Sequence, residues 1–402
     1  MVSGDHWPEG HQQAGLATML PSQRALFDIP RDVAYFNAAG WSPIPKAVAE
    51  AGVRGVARKT QPWTLAPDLA DRIHERARAA AAGVIHAEPG DVALVSSVGY
   101  GVSTAAKLLK VPAGTRVLVL EEDHTSPVLD WMSRAEEQGF VVDPIRRPGD
   151  GDWTSAVLET IARPGAAPVA AVSISSVHWS DGGAIDLARV APAVKRAGAA
   201  LLVDATHAAG ILELDVRELD PDFVMFPTYK WLLGPYGRAF LYVAKRHQEG
   251  VPLEQTSYGR RGVKAEQTVY FMDTRYVEGA RRFDMGERDH FVSMEMAAVG
   301  IETVAGLGRA AVEARLADLT RSIGERAAAL GGKVSLPDPR FRAPHLICLG
   351  FPGGMPEGLV QQLAADNVHV APRLGRLRLS PHVYNDEEDI ERLVGSLQRA
   401  LG

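Results

Sequence analysis

From residue 91 onward the chain settles into a rhythm that few folds can accommodate. Short apolar runs (DVALV, RVLVLE, PVAAVSIS, ALLVDAT and DFVMFP) alternate with stretches of helical length such as GVSTAAKLLK and LARVAPAVKRAG. A strand that is apolar throughout has both faces buried, and a helix between two such strands lets them run parallel. The rhythm predicts βαβ units around a mostly parallel sheet, an α/β fold. AFLYVAKR is a further strand candidate, and AVAEAGVRGVARKT and DLADRIHERARAAAAGVI upstream read as helices.

After about residue 290 the rhythm changes to a long helical stretch, 294–330, followed by HLICLGF, the helix PEGLVQQLAADN, the short strands NVHVAP and RLRLS, and a last helix EEDIERLVGSLQRAL. A chain of 402 residues exceeds what one compact core usually holds. The change of rhythm predicts a large α/β domain over 31–295 and a small α+β domain over 296–402, joined by an arm of residues 1–30.

Charge and cysteine content narrow the partners. The formal net charge of −6 gives no attraction to nucleic acid or to an anionic membrane surface. No apolar run reaches the length of a membrane span. Asp5 and Glu9 precede any apolar stretch, unlike a secretory signal. Cys348 is the only cysteine, so no intrachain disulfide forms, which fits a cytoplasmic setting. No metal site is expected.

Ligands of open α/β sheets collect at the carboxyl ends of the strands. Asp204 ends one apolar run, with His207 three residues on. DFVMF ends four residues before Lys230, which stands between Tyr229 and Trp231 and is followed by a Gly-Pro-Tyr-Gly turn. A lysine in so apolar a context is costly to bury as an ammonium ion. It makes sense as the Schiff-base lysine of an aldehyde cofactor. Pyridoxal 5'-phosphate needs such a lysine and an anionic partner for its ring nitrogen. Asp204 and Lys230 supply both. VALVSSVGYGVSTAAKLL is a strand, a glycine-containing turn and a helix, an arrangement that cradles phosphate on backbone amides. His124, after RVLVL, stands where an imidazole could stack on a ring or move a proton. Each of these alone has a plainer reading, as a cap, a turn or a surface histidine; together they describe one cofactor site.

These segments resemble the class V aminotransferase family of fold type I PLP enzymes. The carriers are AYFNAAG, SSVGYGVS, EEDHTSP, SISSVHWSDGGAID, VDATHAAG, PTYKWLLGPYG, FDMGE and RLRLSPHVYNDEED. The resemblance implies that Asp204 meets the pyridine nitrogen, His207 the ring hydroxyl and His124 the ring face. It implies further that Lys230 carries the cofactor, Tyr229 helps bind its phosphate, and Val98, Gly99 and Tyr100 form the phosphate turn. Ser176 stands where many relatives have Asn. Arg378 is implied to hold the substrate carboxylate through its two-pronged guanidinium, with Arg373 a second candidate and Asn37 nearby. The resemblance also implies a homodimer. Glu287, in FDMGE, replaces a Thr that in desulfurases reaches the neighbouring subunit's phosphate.

A small amino-acid-like substrate is therefore expected, with Lys230 as base and acid at Cα. The apolar strand around Cys348 is a poor place for a mobile nucleophile, and VAPRLGRLRLS is short and carries no cysteine. A cysteine-dependent desulfurase is not expected; a C–S lyase-type β-elimination is. Transamination, decarboxylative deamination and epimerisation remain open on the same scaffold. The basic runs YGRRGVK and RYVEGARRFDMGERDH read mainly as solvated loop surface.

Overall fold

The structure is a computed structural model describing residues 19–288 and 291–402. The first 18 residues of the expected arm lie outside the described residues. The apolar runs form one seven-stranded sheet: β1 Val92–Val95, β2 Arg116–Leu120, β3 Val141–Ile145, β4 Val169–Ser175, β5 Ala200–Asp204, β6 Phe223–Pro227 and β7 Ala239–Val243. Their order across the sheet is β1-β7-β6-β5-β4-β2-β3. Only β7 runs against its neighbours; the other pairings are parallel. The carboxyl ends of six strands therefore share one edge of the sheet.

The sequence rhythm missed β3. It is an edge strand with Val141 exposed and Pro144 inside it, so it lacks the continuous apolar signature of a central strand. The basic stretch read as loop also differs. Arg260–Val263 and Phe271–Tyr276 pair as an antiparallel hairpin, while Arg282, Phe283, Asp284 and Met285 are buried. Asp284 is buried because it answers Arg78, itself 0% exposed, at 3.0 and 2.8 Å. A buried guanidinium is tolerable only with such a partner. Asp284 also accepts the Leu94 amide at 2.8 Å, which ties β1 in place.

The long helical stretch is two helices, Ser293–Leu307 and Arg309–Ala328. Gly308 separates them at φ +82°, a backbone conformation that side chains with a Cβ rarely adopt. Two apolar clusters cover the two faces of the large sheet. A third gathers Phe27, Phe36, Trp231 and Leu233 with residues of 304–397. Its three-stranded sheet has the order β8-β10-β9, with β8 Ile347–Leu349, β9 Ala371–Arg373 and β10 Arg376–Leu379. Ala34–Tyr35 pairs parallel to Val368–His369, so a segment near the N-terminus is tied to this C-terminal unit. Among the described residues no helix is long and apolar enough to cross a membrane.

Candidate active site

A cleft opens at the shared carboxyl edge, lined among others by His124, Asp204, His207, Tyr229 and Lys230. β5 ends in Asp204, and the Thr206 amide donates to Asp204 Oδ1 at 2.9 Å, as does the Thr206 hydroxyl. β6 ends at Pro227 and delivers Tyr229 and Lys230 two and three residues later. Lys230 is 7% exposed, and among the described residues no carboxylate pairs with it. Burial above all, and then the charge of Arg378, push its amine down to about 7, against the pull of Asp204. Much of the lysine is therefore an uncharged nucleophile near neutral pH. That fits covalent attachment to an aldehyde cofactor.

The helix Val98–Leu108 begins at the end of β1. Ser97 caps it: its hydroxyl accepts the Tyr100 amide at 3.1 Å, and its carbonyl accepts the Gly101 amide at 3.2 Å. The first-turn amides of Val98 and Gly99 remain available to an anion at the positive end of the helix. Tyr100 stands apart from them, with its amide on Ser97 and its hydroxyl 3.2 Å from Glu254. Gly101 lets this turn lie on the sheet, since a Cβ there would sit 3.2 Å from Met225 Cγ.

Histidines and aromatic rings complete the walls. His207 Nδ1 accepts from Trp231 Nε1 at 3.0 Å, which leaves its other ring nitrogen to carry the proton. Burial, then the Lys230 charge, hold its pKa well below the usual value, so the ring is neutral. His124 meets Trp179 edge-on at 6.0 Å and is also held down by burial and by Lys230. Tyr229 lies beside Lys230, with Nζ 5.5 Å from its ring centre, and stacks obliquely on Tyr236 at 4.3 Å. Burial pushes the Tyr229 phenol up to about 12, so it stays protonated.

Arg378 is 2% exposed. One prong donates to the Trp179 carbonyl at 2.9 Å, the other approaches Asn37 Oδ1 at 3.5 Å, and Nε is buried without a partner. Among the described residues it has no carboxylate partner. Burial lowers it to about 10, so it remains a cation that an incoming carboxylate would satisfy. Arg373 lies 5.9 Å over the Trp179 ring.

Of the residues singled out from the sequence, Gly99, Tyr100, Asn37, Arg373 and Arg378 are not among those lining the cleft, and neither is Ser176. Its amide and hydroxyl both donate to the Asp204 carbonyl, at 2.9 and 3.2 Å. Ser175 lines the cleft instead, because successive residues at a strand end face opposite ways. Sequence reading also missed Asp123. Its carboxylate accepts the Ser175 amide and hydroxyl and the His124 amide, at 3.1, 2.7 and 2.7 Å. Burial and the charge of Asp204 push it up to about 7. Ser97 could have been found, since a serine just before a helical run signals a cap.

A family model described as aminotransferase class-V matches residues 34–393. An uncharacterized aminotransferase of Bacillus subtilis is 28% identical over 336 residues, covering 80% of this chain and 82% of that protein. The isopenicillin N epimerase of Amycolatopsis lactamdurans is 25% identical over 404 residues, covering 95% and 99% of the two chains. The apo structure of a cysteine desulfurase from Thermococcus onnurineus superposes with a TM-score of 0.80 at 22% identity, covering 94% of this chain and 96% of that one.

Proposed function

The chain belongs to the aminotransferase class-V family, a family of pyridoxal-phosphate enzymes, and from that premise we propose that it catalyses β-elimination on an amino-acid substrate carrying sulfur at Cβ. In this reading Lys230 holds the cofactor, Asp204 faces its ring nitrogen, and the amides of Val98 and Gly99 take its phosphate. His124 covers the ring, His207 approaches its hydroxyl, and Tyr229 assists at the phosphate. When bound, pyridoxal phosphate supplies an electron sink for a carbanion at the substrate's Cα.

The protein's part is to hold and to move protons. Arg378 grips the substrate carboxylate, with Asn37 beside it and Arg373 over Trp179 as a second cation at the site. Lys230, freed once the substrate's amine has displaced it, would take the proton from Cα on Nζ. The Cβ–S bond breaks, its electron pair leaves with sulfur, and water completes the conversion to a keto acid and ammonia.

The observation that carries this reading is the placement of Cys348. It is 3% exposed in β8, paired with β10, and is not among the residues lining the cleft. Burial pushes its thiol up to about 12, which leaves almost no thiolate. With no other cysteine in the chain, sulfur has no protein thiol to receive it and leaves in solution. The Cys348→Ala enzyme is therefore expected to retain turnover. With an S-substituted cysteine the parent enzyme should yield pyruvate, ammonia and free thiol in equal amounts and no protein persulfide. Conversion of the cofactor to its amine form, with activity restored by a keto acid, would instead mark an aminotransferase. Loss of turnover in Cys348→Ala would return the protein to the desulfurases.

Arg378→Lys keeps a charge but loses the fork. We expect KM for a carboxylate substrate to rise about tenfold or more with the cofactor spectrum unchanged, a change of ~1.4 kcal/mol or more. Loss of cofactor with unchanged KM would assign Arg378 to structure. We also propose a homodimer. Phe271 and Met272 of the hairpin, Val53 and Val56 of the helix Lys46–Thr60, and the stacked Trp41 and Tyr236 are exposed apolar surface that a second copy would cover. Sedimentation of the purified protein tests this directly.

A further inference from the structure

Three buried rings form a line from the C-terminal core to the candidate active site, and their hydrogen bonds all point toward the site. The line starts just after β10. His382 is 0% exposed there, and its backbone amide donates to Asn385 Oδ1 at 3.0 Å. The Val383 amide donates to His382 Nδ1 at 2.8 Å. A backbone amide can only donate, so Nδ1 is bare and the ring proton belongs on Nε2. His382 Nε2 lies 3.1 Å from the Trp231 carbonyl, a group that can only accept. Burial favours the same neutral ring, lowering its pKa to about 4.

Trp231 continues the line. It is 1% exposed, with His345 edge-on at 4.5 Å and His382 at 5.6 Å between ring centres. Its Nε1 donates to His207 Nδ1 at 3.0 Å. An indole N–H cannot accept, so His207 Nδ1 is bare as well and its proton belongs on Nε2. His207 is 3% exposed and stands on the cleft wall. Every proton position along the line thus follows from a group at one end that has no choice of role.

We propose that Trp231 is a positioning residue, which fixes His207 in one orientation and in its Nε2–H form so that a hydrogen-bond donor is set in advance toward the cofactor's ring oxygen, with His382 anchoring the indole from the C-terminal unit. The proposal rests on the placement of His207 beside that oxygen in the proposed function, and not on the type of reaction. Such a donor would otherwise have to be selected from two tautomers and two ring orientations each time the cofactor binds.

The test uses the full chain labelled with ¹⁵N in its histidine rings, with pyridoxal phosphate and after its removal. His207 is identified by the signal that disappears in His207→Leu. Its Nδ1 should be bare and its Nε2 protonated in both states. In Trp231→Phe, which keeps a ring and loses the donor, the Nδ1 resonance should move and the single form should be lost. The apparent Kd for pyridoxal phosphate, read from its visible band, should rise about fivefold or more, the scale of one buried hydrogen bond. In a His207→Leu background the same Trp231→Phe change should leave Kd where it was. Wild-type His207 with its proton on Nδ1 would overturn the proposal without recourse to any variant. An unmoved Nδ1 resonance in Trp231→Phe would overturn it too. An equal rise in Kd in both backgrounds would show that Trp231 acts through packing alone. Unchanged Kd in His207→Leu would overturn the donor's part at the cofactor, and with it the placement of His207 in the proposed function, whereas a wrong tautomer would leave that placement standing.

Discussion

Lys230→Ala is expected to abolish nearly all turnover and to lose the cofactor adduct that borohydride traps in the parent protein. The reason is the lysine's setting. It sits just past the end of β6, 7% exposed, with no carboxylate pairing it among the described residues, and its amine is lowered to about 7. A lowered amine is neutral above that value, so cofactor-free protein should reload faster as pH rises through about 7 and slowly below it. Mass spectrometry after borohydride reduction, with kcat measured in parallel, checks the first claim. A pH series of reloading rates checks the second. A Lys230→Ala protein with full activity would remove the basis of the proposed chemistry.

Asp204→Asn should slow catalysis by about a hundredfold or more, some 3 kcal/mol of barrier at ~1.4 kcal/mol per factor of ten. Its carboxylate is held by the amide and hydroxyl of Thr206, so the substitution keeps the shape and removes the charge. A neutral amide no longer favours protonation of the ring nitrogen, and the electron sink weakens. Cofactor content should survive, because the lysine and the helix N-terminus are untouched. The informative pair of measurements is therefore cofactor stoichiometry and kcat. Unchanged kcat would mean that a group other than Asp204 meets the nitrogen.

That Asp204 and Lys230 meet at the sheet's carboxyl edge was legible in the sequence because one ends an apolar run and the other closely follows one. The five apolar runs were legible as strands because β1, β2, β4, β5 and β6 are buried along nearly their whole length. The remainder depended on distant partners. Asp284 is buried because Arg78 is, and the two are 206 residues apart. The hairpin Arg260–Val263 and Phe271–Tyr276 carries no alternation of apolar and polar residues to announce it. Ser175 rather than Ser176 faces the cleft, a distinction that turns on where β4 ends and which only the pairing with β5 settles.

Three consecutive residues, Tyr229, Lys230 and Trp231, go three separate ways: to Tyr236 at the cleft, into the cleft itself, and into the C-terminal core, where His382 meets the Trp231 carbonyl at 3.1 Å. The tripeptide acts as a rivet through both halves of the molecule. Such a joint tolerates exchange of side chains far better than a change in their spacing. Lengthening or shortening the chain by one residue here would misplace the lysine and unseat the tryptophan together. In the evolutionary history of such a chain, insertions and deletions should therefore collect on the outer hairpin and in the surface turns, while the span from Asp204 to Trp231 keeps its length.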